Sequence, residues 1–263
     1  MTYLLQSLPT LLLGIILLVG SVILSVLVLS IVRPYVRRNL REYHNDVAGF
    51  MFAVVGVVYG VLAAFVVFAV WQQYTTADSA ASTEGATLIA MYQEAQPFPA
   101  PIRNEIQGAL RNYTQAVVDQ EWHQLAHGHE SQSVRLLYDR IYSVYGRVSP
   151  RNARERALYA QSLVLLDQLS VQRRLRIHAS HTGLPGVFWF VLIAGAIFTI
   201  GFSMLFYMEH GVVQGIMTAA LTALIAAMLF LVFVINHPFA GTFQLAPQEF
   251  REALVTFQRI SGR

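Results

Sequence analysis

Long stretches without charge alternate with shorter polar segments along this chain. Four stretches lack Asp, Glu and Arg, and each contains an apolar core of about 20 residues, the length that a helix needs to cross a bilayer. We predict membrane helices near Leu8–Val32, Val47–Tyr74, Leu184–Met208 and Val212–Asn236. The first stretch lacks the basic start and the cleavage site of a secretory signal, so we expect it to remain as a helix.

The connections between these helices differ greatly in length. The first, residues 33–46, is short and contains four arginines, whereas the third, residues 209–211, is little more than a turn. Helices three and four should therefore form a hairpin. The second connection is long enough to be a domain. The predicted segments are 1–74 with helices one and two, 75–183 as an extramembrane domain, 184–236 as the hairpin, and 237–263 as a C-terminal tail.

The segment 75–183 has the apolar periodicity of α-helices and no alternating β pattern. One helical face is formed by Ile102, Ile106, Leu110, Tyr113 and Val117. Further faces are formed by Val134, Leu137, Ile141 and Val144, and by Leu158, Leu165 and Leu169. Ser149 and Pro150 together are typical of a helix start. No helix breaker separates Tyr74 from Gln96, so the second membrane helix is expected to continue out of the bilayer.

Composition places the protein in the membrane class and excludes several others. Hydrophobic residues make up 55% of the 263 residues and charged residues only 13%, which is too little charge for a soluble domain. The absence of cysteine excludes structural disulfides and thiolate metal sites. The net charge of +3 is too small and scattered to indicate a nucleic-acid partner. No phosphate-binding, dinucleotide, zinc-protease or serine-hydrolase motif occurs, so we predict neither an enzyme nor a bound cofactor.

Two stripes of residues spaced by four run along the second predicted helix. Small residues form one stripe, Gly56, Gly60 and Ala64, and such stripes let helix backbones approach closely in lipid. Packing within one subunit is the favoured interpretation, and a subunit interface is the alternative. The neighbouring stripe consists of Ala53, Val57, Val61 and Phe65. Facing lipid it would be unremarkable, but facing the axis of a ring of subunits it would form a hydrophobic constriction.

A few polar residues are candidates for binding. Zinc accepts histidine ligands, and three histidines lie close together in sequence at His123, His127 and His129. Histidines in a polar loop are more often only solvated, so we predict no metal. Asp46 is expected to cap the second helix, and its alternative role is a ring of carboxylates at a pore mouth.

The run before the third helix is basic. Its arginines, Arg173, Arg174 and Arg176, are expected to contact lipid headgroups. The arginines of the first connection balance them on the other side, so charge alone does not fix the orientation in the membrane.

Two motifs resemble the bestrophin family. The stretch "GVLAAFVVFAVWQQY" is similar to the second membrane helix of bestrophins, which ends in a pattern matching Trp71, Gln73 and Tyr74 and carries a glycine matching Gly60. The stretch "INHPFAGTFQLAPQEF" resembles the segment after their fourth helix. The bacterial bestrophin-like branch of unassigned function is the more similar one, since it shares "HNDVAGF" and the entry into helix three. The order of helices, helical insertion, helices and tail is also the same.

The resemblance implies an all-α membrane protein that assembles as a homopentamer in the bacterial inner membrane. It further implies ion-channel activity, a central pore lined by helix two at Ala53, Val57 and Val61, and a cytoplasmic middle domain. These three side chains are smaller than the bulky residues in the neck of bestrophins, which puts gating at this position in question. The tail lacks the carboxylates that bind calcium in bestrophins, so we expect no calcium site there.

Three functions are compatible with these observations. The favoured one is an ion channel that conducts anions such as chloride, because arginines outnumber acids in the first connection and the resemblance points to anions. A cation channel is the alternative if Asp46 forms a negative ring. A membrane scaffold or sensor that shares the fold without conducting is the third, because fold does not determine function.

Overall fold

The computed structural model describes residues 10–39, 45–206, 208, 210–241 and 243–262, with the side chains of 10, 36–39 and 45–47 excluded. Every regular element in these residues is a helix. In chain order the α-helices are α1 Thr10–Asn39, α2 Asn45–Glu94, α3 Ala100–Ala116, α4 Trp122–Leu125, α5 Gln132–Tyr145, α6 Ala153–His181, α7 Gly186–Ser203, α8 Gly211–Ile235 and α9 Gln248–Ser261. A π-helical turn, Val117–Glu121, joins α3 to α4.

Four of these helices, α1, α2, α7 and α8, are long and apolar enough to cross a membrane, as the sequence predicts. Their ends differ from the prediction. The predicted start at Leu8 lies outside the described residues, and α1 continues through Pro34 to Asn39, because arginine-rich sequence still favours helix after the apolar run has ended. α7 ends at Ser203 rather than near Met208, so the connection to α8 is longer than the predicted turn.

The described residues form two compact units. The first contains those within Tyr3–Gln72 and Leu184–Asn236, and the second contains those within Gln73–Gly183 and His237–Arg263. α2 contributes to both, because it continues without a break from Asn45 to Glu94, as predicted. The C-terminal segment, treated as a separate tail in the sequence, is part of the same unit as the middle segment.

Glycines permit two close contacts within the first unit. A Cβ atom at Gly14 would lie 2.6 Å from the ring of Phe230, so α1 packs on α8 only because this Cβ is absent. A Cβ atom at Gly195 would lie 2.6 Å from the ring of Tyr59, which brings α7 against α2. The Tyr59 hydroxyl donates to the carbonyl oxygen of Leu192 at 3.3 Å. These two sites supply the close helix approach that lipid-embedded helices need.

Aromatic packing fixes the C-terminal segment to the core of the second unit. The ring of Phe257 on α9 stacks on Tyr92 with centroids 4.1 Å apart. Trp122 contacts the rings of Phe239 and Phe250, and its indole N–H donates to the carbonyl oxygen of Leu245 at 2.7 Å. Burial of these large rings stabilises the packing of the segment on the unit.

The periodic faces predicted for the middle segment are confirmed. Each predicted face is buried or partly buried in the core of the second unit. The predicted start at Ser149 and Pro150 is wrong, because α6 begins at Ala153. The side chain of Asn152 accepts from the backbone N–H of Glu155 at 2.8 Å, and this cap satisfies one of the first-turn donors of α6 that have no partner within the helix.

Candidate functional site

The predicted pore-lining stripe lies on a free face of α2. Ala53, Val57, Val61 and Phe65 are all exposed in the single chain, with 65% of Val57 and 69% of Phe65 accessible. No charged residue occurs between Val47 and Ala77. Exposed apolar side chains on a membrane helix must face lipid, another subunit or the lumen of a pore.

Among the described residues nothing packs on the small-residue stripe, which argues against the favoured interpretation of Gly56 and Gly60 as a packing face within one subunit. A Cβ atom at either glycine would meet no atom of the described ranges within 4 Å, and Ala64 is exposed. The face of α2 that packs is instead Tyr59, Ala63, Val66 and Val70. The reason is steric, since the Tyr59 ring needs the space that Gly195 leaves.

Gly56, Gly60 and Ala64 border an open apolar groove of about 650 Å³. Its other wall is formed by α7 and α8, with Thr199, Leu221, Leu224, Ile225 and Met228 among the lining residues. The groove therefore presents close access to the α2 backbone on the outside of the subunit.

The charged groups near the start of α2 are only partly described. Asp46 belongs to the first turn of α2, but its side chain lies outside the described residues. The side chains of Arg37, Arg38 and Arg41, in the first connection, also lie outside them. The guanidinium of Arg33 donates to the carbonyl oxygen of Met208 at 3.4 Å. Both roles of Asp46, helix cap and pore mouth, therefore stay predictions.

Polar residues that follow the stripe bind backbone carbonyls. The Gln73 amide donates to the carbonyl oxygen of Thr182 at 2.7 Å, and the Tyr74 hydroxyl donates to that of Phe243 at 3.4 Å. The two bonds fasten this part of α2 to the residues after α6 and to the C-terminal segment. Trp71 is exposed, as expected for an aromatic residue at a membrane interface.

The structure places Arg173 and Arg176 in a buried ion-pair network, which corrects their prediction as headgroup contacts. Arg176 is fully buried and contacts Glu84 at 2.7 Å and Glu121 at 2.7 Å. Arg173 contacts Glu121 at 2.8 Å and Glu130 at 2.9 Å. Lipid headgroups lie in water, and the fully buried guanidinium of Arg176 cannot reach them. The guanidinium of Arg173 is already paired with two carboxylates. Arg174 alone is exposed, so its headgroup contact stays a prediction.

Two aromatic rings lie close to the guanidinium of Arg176. Its guanidinium lies 5.6 Å from the ring centre of Trp122 and 5.3 Å from that of Phe250, within the range of cation–π attraction. Desolvation alone would lower the pKa of Arg176, but Glu84 and Glu121 outweigh it and raise that pKa well above its ordinary value. Both arginines of the network therefore remain charged.

The network joins segments that are distant in sequence. Glu84 comes from α2, and it accepts a hydrogen bond from the Tyr113 hydroxyl of α3. Burial and the neighbouring Glu84 raise the pKa of Tyr113 well above its usual value, so this hydroxyl stays neutral. Glu121 is the last residue of the π-helical turn, a local irregularity that is frequent at specialised sites. The two arginines come from α6.

A sequence signal for this network existed but was missed. Glu84 continues the buried face formed by Ala77, Ala80, Ala81, Leu88 and Met91. A lone carboxylate at a core position of a helix requires a buried cation, since an unpaired buried charge is very costly. The cation that pairs with Glu84 should be an arginine, because the chain has no lysine. The spacing of the arginines does not indicate which of them is buried.

The three candidate histidines do not form a metal centre. The Nδ1 atom of His127 donates to the carbonyl oxygen of His123 at 2.9 Å, and that of His129 donates to the carbonyl oxygen of His127 at 2.8 Å. No group of three His, Cys, Asp or Glu residues within the described ranges is close enough to hold a metal ion.

Comparisons with known proteins identify the family. The sequence matches the Bestrophin-like domain family over residues 19–250. Comparison with curated proteins finds no match. Two crystal structures of a bacterial bestrophin homologue from Klebsiella pneumoniae, each with a single substitution, are 12% identical to this chain, with TM-scores of 0.72 and 0.73. They cover 94% and 95% of it, and the chain covers 99% of each. A third crystal structure of the same homologue, phased with zinc, has 12% identity and a TM-score of 0.70. The match covers 93% of this chain and 98% of the chain in that structure. The family match spans most of the sequence and the structures share its fold, so this chain belongs to the bestrophin-like family.

Proposed function

We propose that the protein is a homopentameric ion channel whose pore is lined by α2 at Ala53, Val57, Val61 and Phe65. The observation that carries this proposal is the exposure of all four side chains on one uncharged face. The family and the fold support it, because the matched structures are of a bestrophin homologue. A narrow apolar ring at this face would control the passage of ions through its wetting.

A second copy of the chain is the proposed occupant of the apolar groove beside Gly56 and Gly60. Gly60 follows Val57 by three residues, which places it about 60° around the helix. In a ring of α2 helices, a face rotated by this angle from the axis points toward the neighbouring subunit. No atom in the part of the chain that the structure describes lies within 4 Å of a Cβ at Gly56 or Gly60, which leaves room for the close backbone approach that small residues permit.

Selectivity must come from the ends of the pore, since α2 carries no charge between Val47 and Ala77. Four arginines precede Asp46 in the first connection, and the positive end of the α2 dipole opposes the field of Asp46. These charges favour anions such as chloride. The proposed partners of the channel are a second copy of the chain, the lipid bilayer and the permeant ions. Cation conduction through a ring of Asp46 carboxylates, and a non-conducting scaffold, are the alternatives.

The proposed location is the bacterial inner membrane, with the second unit in the cytoplasm. A reporter fused after Arg263 tests this orientation. The proposal expects activity from a cytoplasmic reporter, and activity only from a periplasmic one would overturn the orientation.

The experiment that tests the function combines mass and conductance. Native mass spectrometry in detergent should show five subunits, and a monomer or dimer would refute the central pore. Purified protein in liposomes under a chloride-salt gradient should give reversal potentials close to that of the anion, in both the wild type and Asp46→Asn. Cation selectivity that is lost in Asp46→Asn would establish the cation alternative. No current in either protein, with pentamers present, would favour the scaffold.

A further inference from the structure

A groove between α5 and α6 in the second unit has the composition of an anion site. Its volume is about 420 Å³, within the range of about 300–1,000 Å³ of ligand sites in proteins. Three arginines and two acids line it: Arg135, Arg173, Arg174, Glu130 and Asp139. The arginines give a formal excess of positive charge, and His178 and His181 line the same groove.

Two of the arginines that line the groove are exposed and outside the ion-pair network. Arg135 and Arg174 are exposed, and neither forms an ion pair in the part of the chain that the structure describes. Arg173 is 5% exposed, and its Nε atom is buried without a hydrogen-bond partner. A buried donor without a partner is costly, and this one belongs to a side chain that lines the groove.

The start of α5 adds to the positive potential. α5 is 14 residues long, its first turn has no acidic residue, and the side chain of its N-cap, Ser131, makes no capping bond. The positive end of its dipole therefore lies beside Glu130 and Arg135, and such helix ends favour anions. Glu130, two residues before α5, pairs with Arg173 at 2.9 Å.

We propose that this groove binds the phosphate group of a ligand, carried either by an anionic lipid headgroup or by a soluble phosphate compound. Guanidinium groups bind phosphate through paired N–H donors, and Arg135 and Arg174 supply the free ones. Glu130 competes with the ligand for Arg173. The groove is separate from the face proposed to line the pore, so binding here does not require that the protein conducts ions.

The test measures phosphate binding to the full-length protein in detergent. Inorganic pyrophosphate, followed by calorimetry at constant ionic strength, represents the soluble source. Native mass spectrometry with phosphatidic acid against phosphatidylcholine represents the lipid source. Binding in either arm supports the site and identifies its source, whereas binding in neither arm overturns the proposal.

Variants separate this site from general charge attraction. The double variant Arg135→Gln with Arg174→Gln should bind at least tenfold more weakly, and both residues are exposed, so the fold should persist. The control is Arg156→Gln, on α6 like Arg174 but outside the groove. It should bind phosphate as the wild type does. Glu130→Gln should bind severalfold more tightly, because the competing carboxylate is gone. Affinity within twofold of the wild type in the double variant, or weaker binding in Glu130→Gln, would overturn the proposal.

Discussion

Removal of the Arg176 charge should destabilise the second unit severely. Arg176→Met keeps the length of the side chain but breaks its contacts with Glu84 at 2.7 and 3.2 Å and with Glu121 at 2.7 Å. Glu121 retains Arg173 at 2.8 Å, whereas Glu84 loses its only cationic partner in the network. Removing one partner of a buried pair costs about 3–5 kcal/mol, because the other charge is left uncompensated.

This cost is large enough to measure as a melting temperature. With about 2–4 °C lost for each kcal/mol in a chain of this size, the variant should melt roughly 6–20 °C below the wild type. Circular dichroism of the purified protein in detergent measures the shift. The matched control is Arg147→Gln, which breaks an ion pair of 2.7 Å to Glu105 on the surface. An exposed pair contributes only about 0–1 kcal/mol, so this control should melt within a few degrees of the wild type.

A second variant checks that uncompensated charge is the cause. Adding Glu84→Gln to Arg176→Met removes the unpaired carboxylate and should recover part of the lost stability, which a double-mutant cycle measures. If Arg176→Met melts at the same temperature as Arg147→Gln, the network does not stabilise the unit. If the double variant is less stable than Arg176→Met alone, lost packing rather than unpaired charge explains the effect.

Two further predictions concern local packing and capping. Gly195→Ala should lower the free energy of unfolding by about 1–3 kcal/mol, because its Cβ would overlap the Tyr59 ring. The control Gly201→Ala, on the same helix, meets no described atom within 4 Å and should be neutral. Equal melting temperatures of the two variants would contradict this packing. Asn152→Ala should lose about 1 kcal/mol through the missing α6 cap, and Asn152→Asp should restore it; unchanged melting of Asn152→Ala would show that the cap contributes nothing.

The sequence predicts the membrane helices well because their signal is local. A charge-free stretch of sufficient length is enough to place a helix in lipid, and all four such helices are present. The apolar periodicity of the middle segment is equally local, and its faces are buried. The predicted ends of the helices are less accurate, because the edge of an apolar run marks the membrane boundary and not the last helical residue. α1, for example, continues beyond the predicted end at Val32.

The packing and the buried charges depend on contacts that are distant in sequence. The four-residue spacing of Gly56 and Gly60 shows that a helix can approach there, but not which helix does. Whether Arg176 faces lipid or core depends on Glu84 and Glu121, which lie 92 and 55 residues away. A basic run next to a membrane segment has the same composition in both cases. Only the position of Glu84 on a buried helical face carried information about the outcome.

Cysteine modification tests the proposed pore most directly. The natural chain contains no cysteine, so a single introduced thiol is the only reactive one. Val57→Cys places it on the proposed pore face, and Val58→Cys places it on the next face of the same helix, with both positions exposed in the single chain. Ion flux from proteoliposomes is measured before and after treatment with a charged methanethiosulfonate. The reagent should abolish most of the flux through Val57→Cys and leave the flux through Val58→Cys unchanged. Flux that is absent from both untreated variants and the wild type, or that is insensitive at Val57→Cys, would contradict a pore lined by this face of α2.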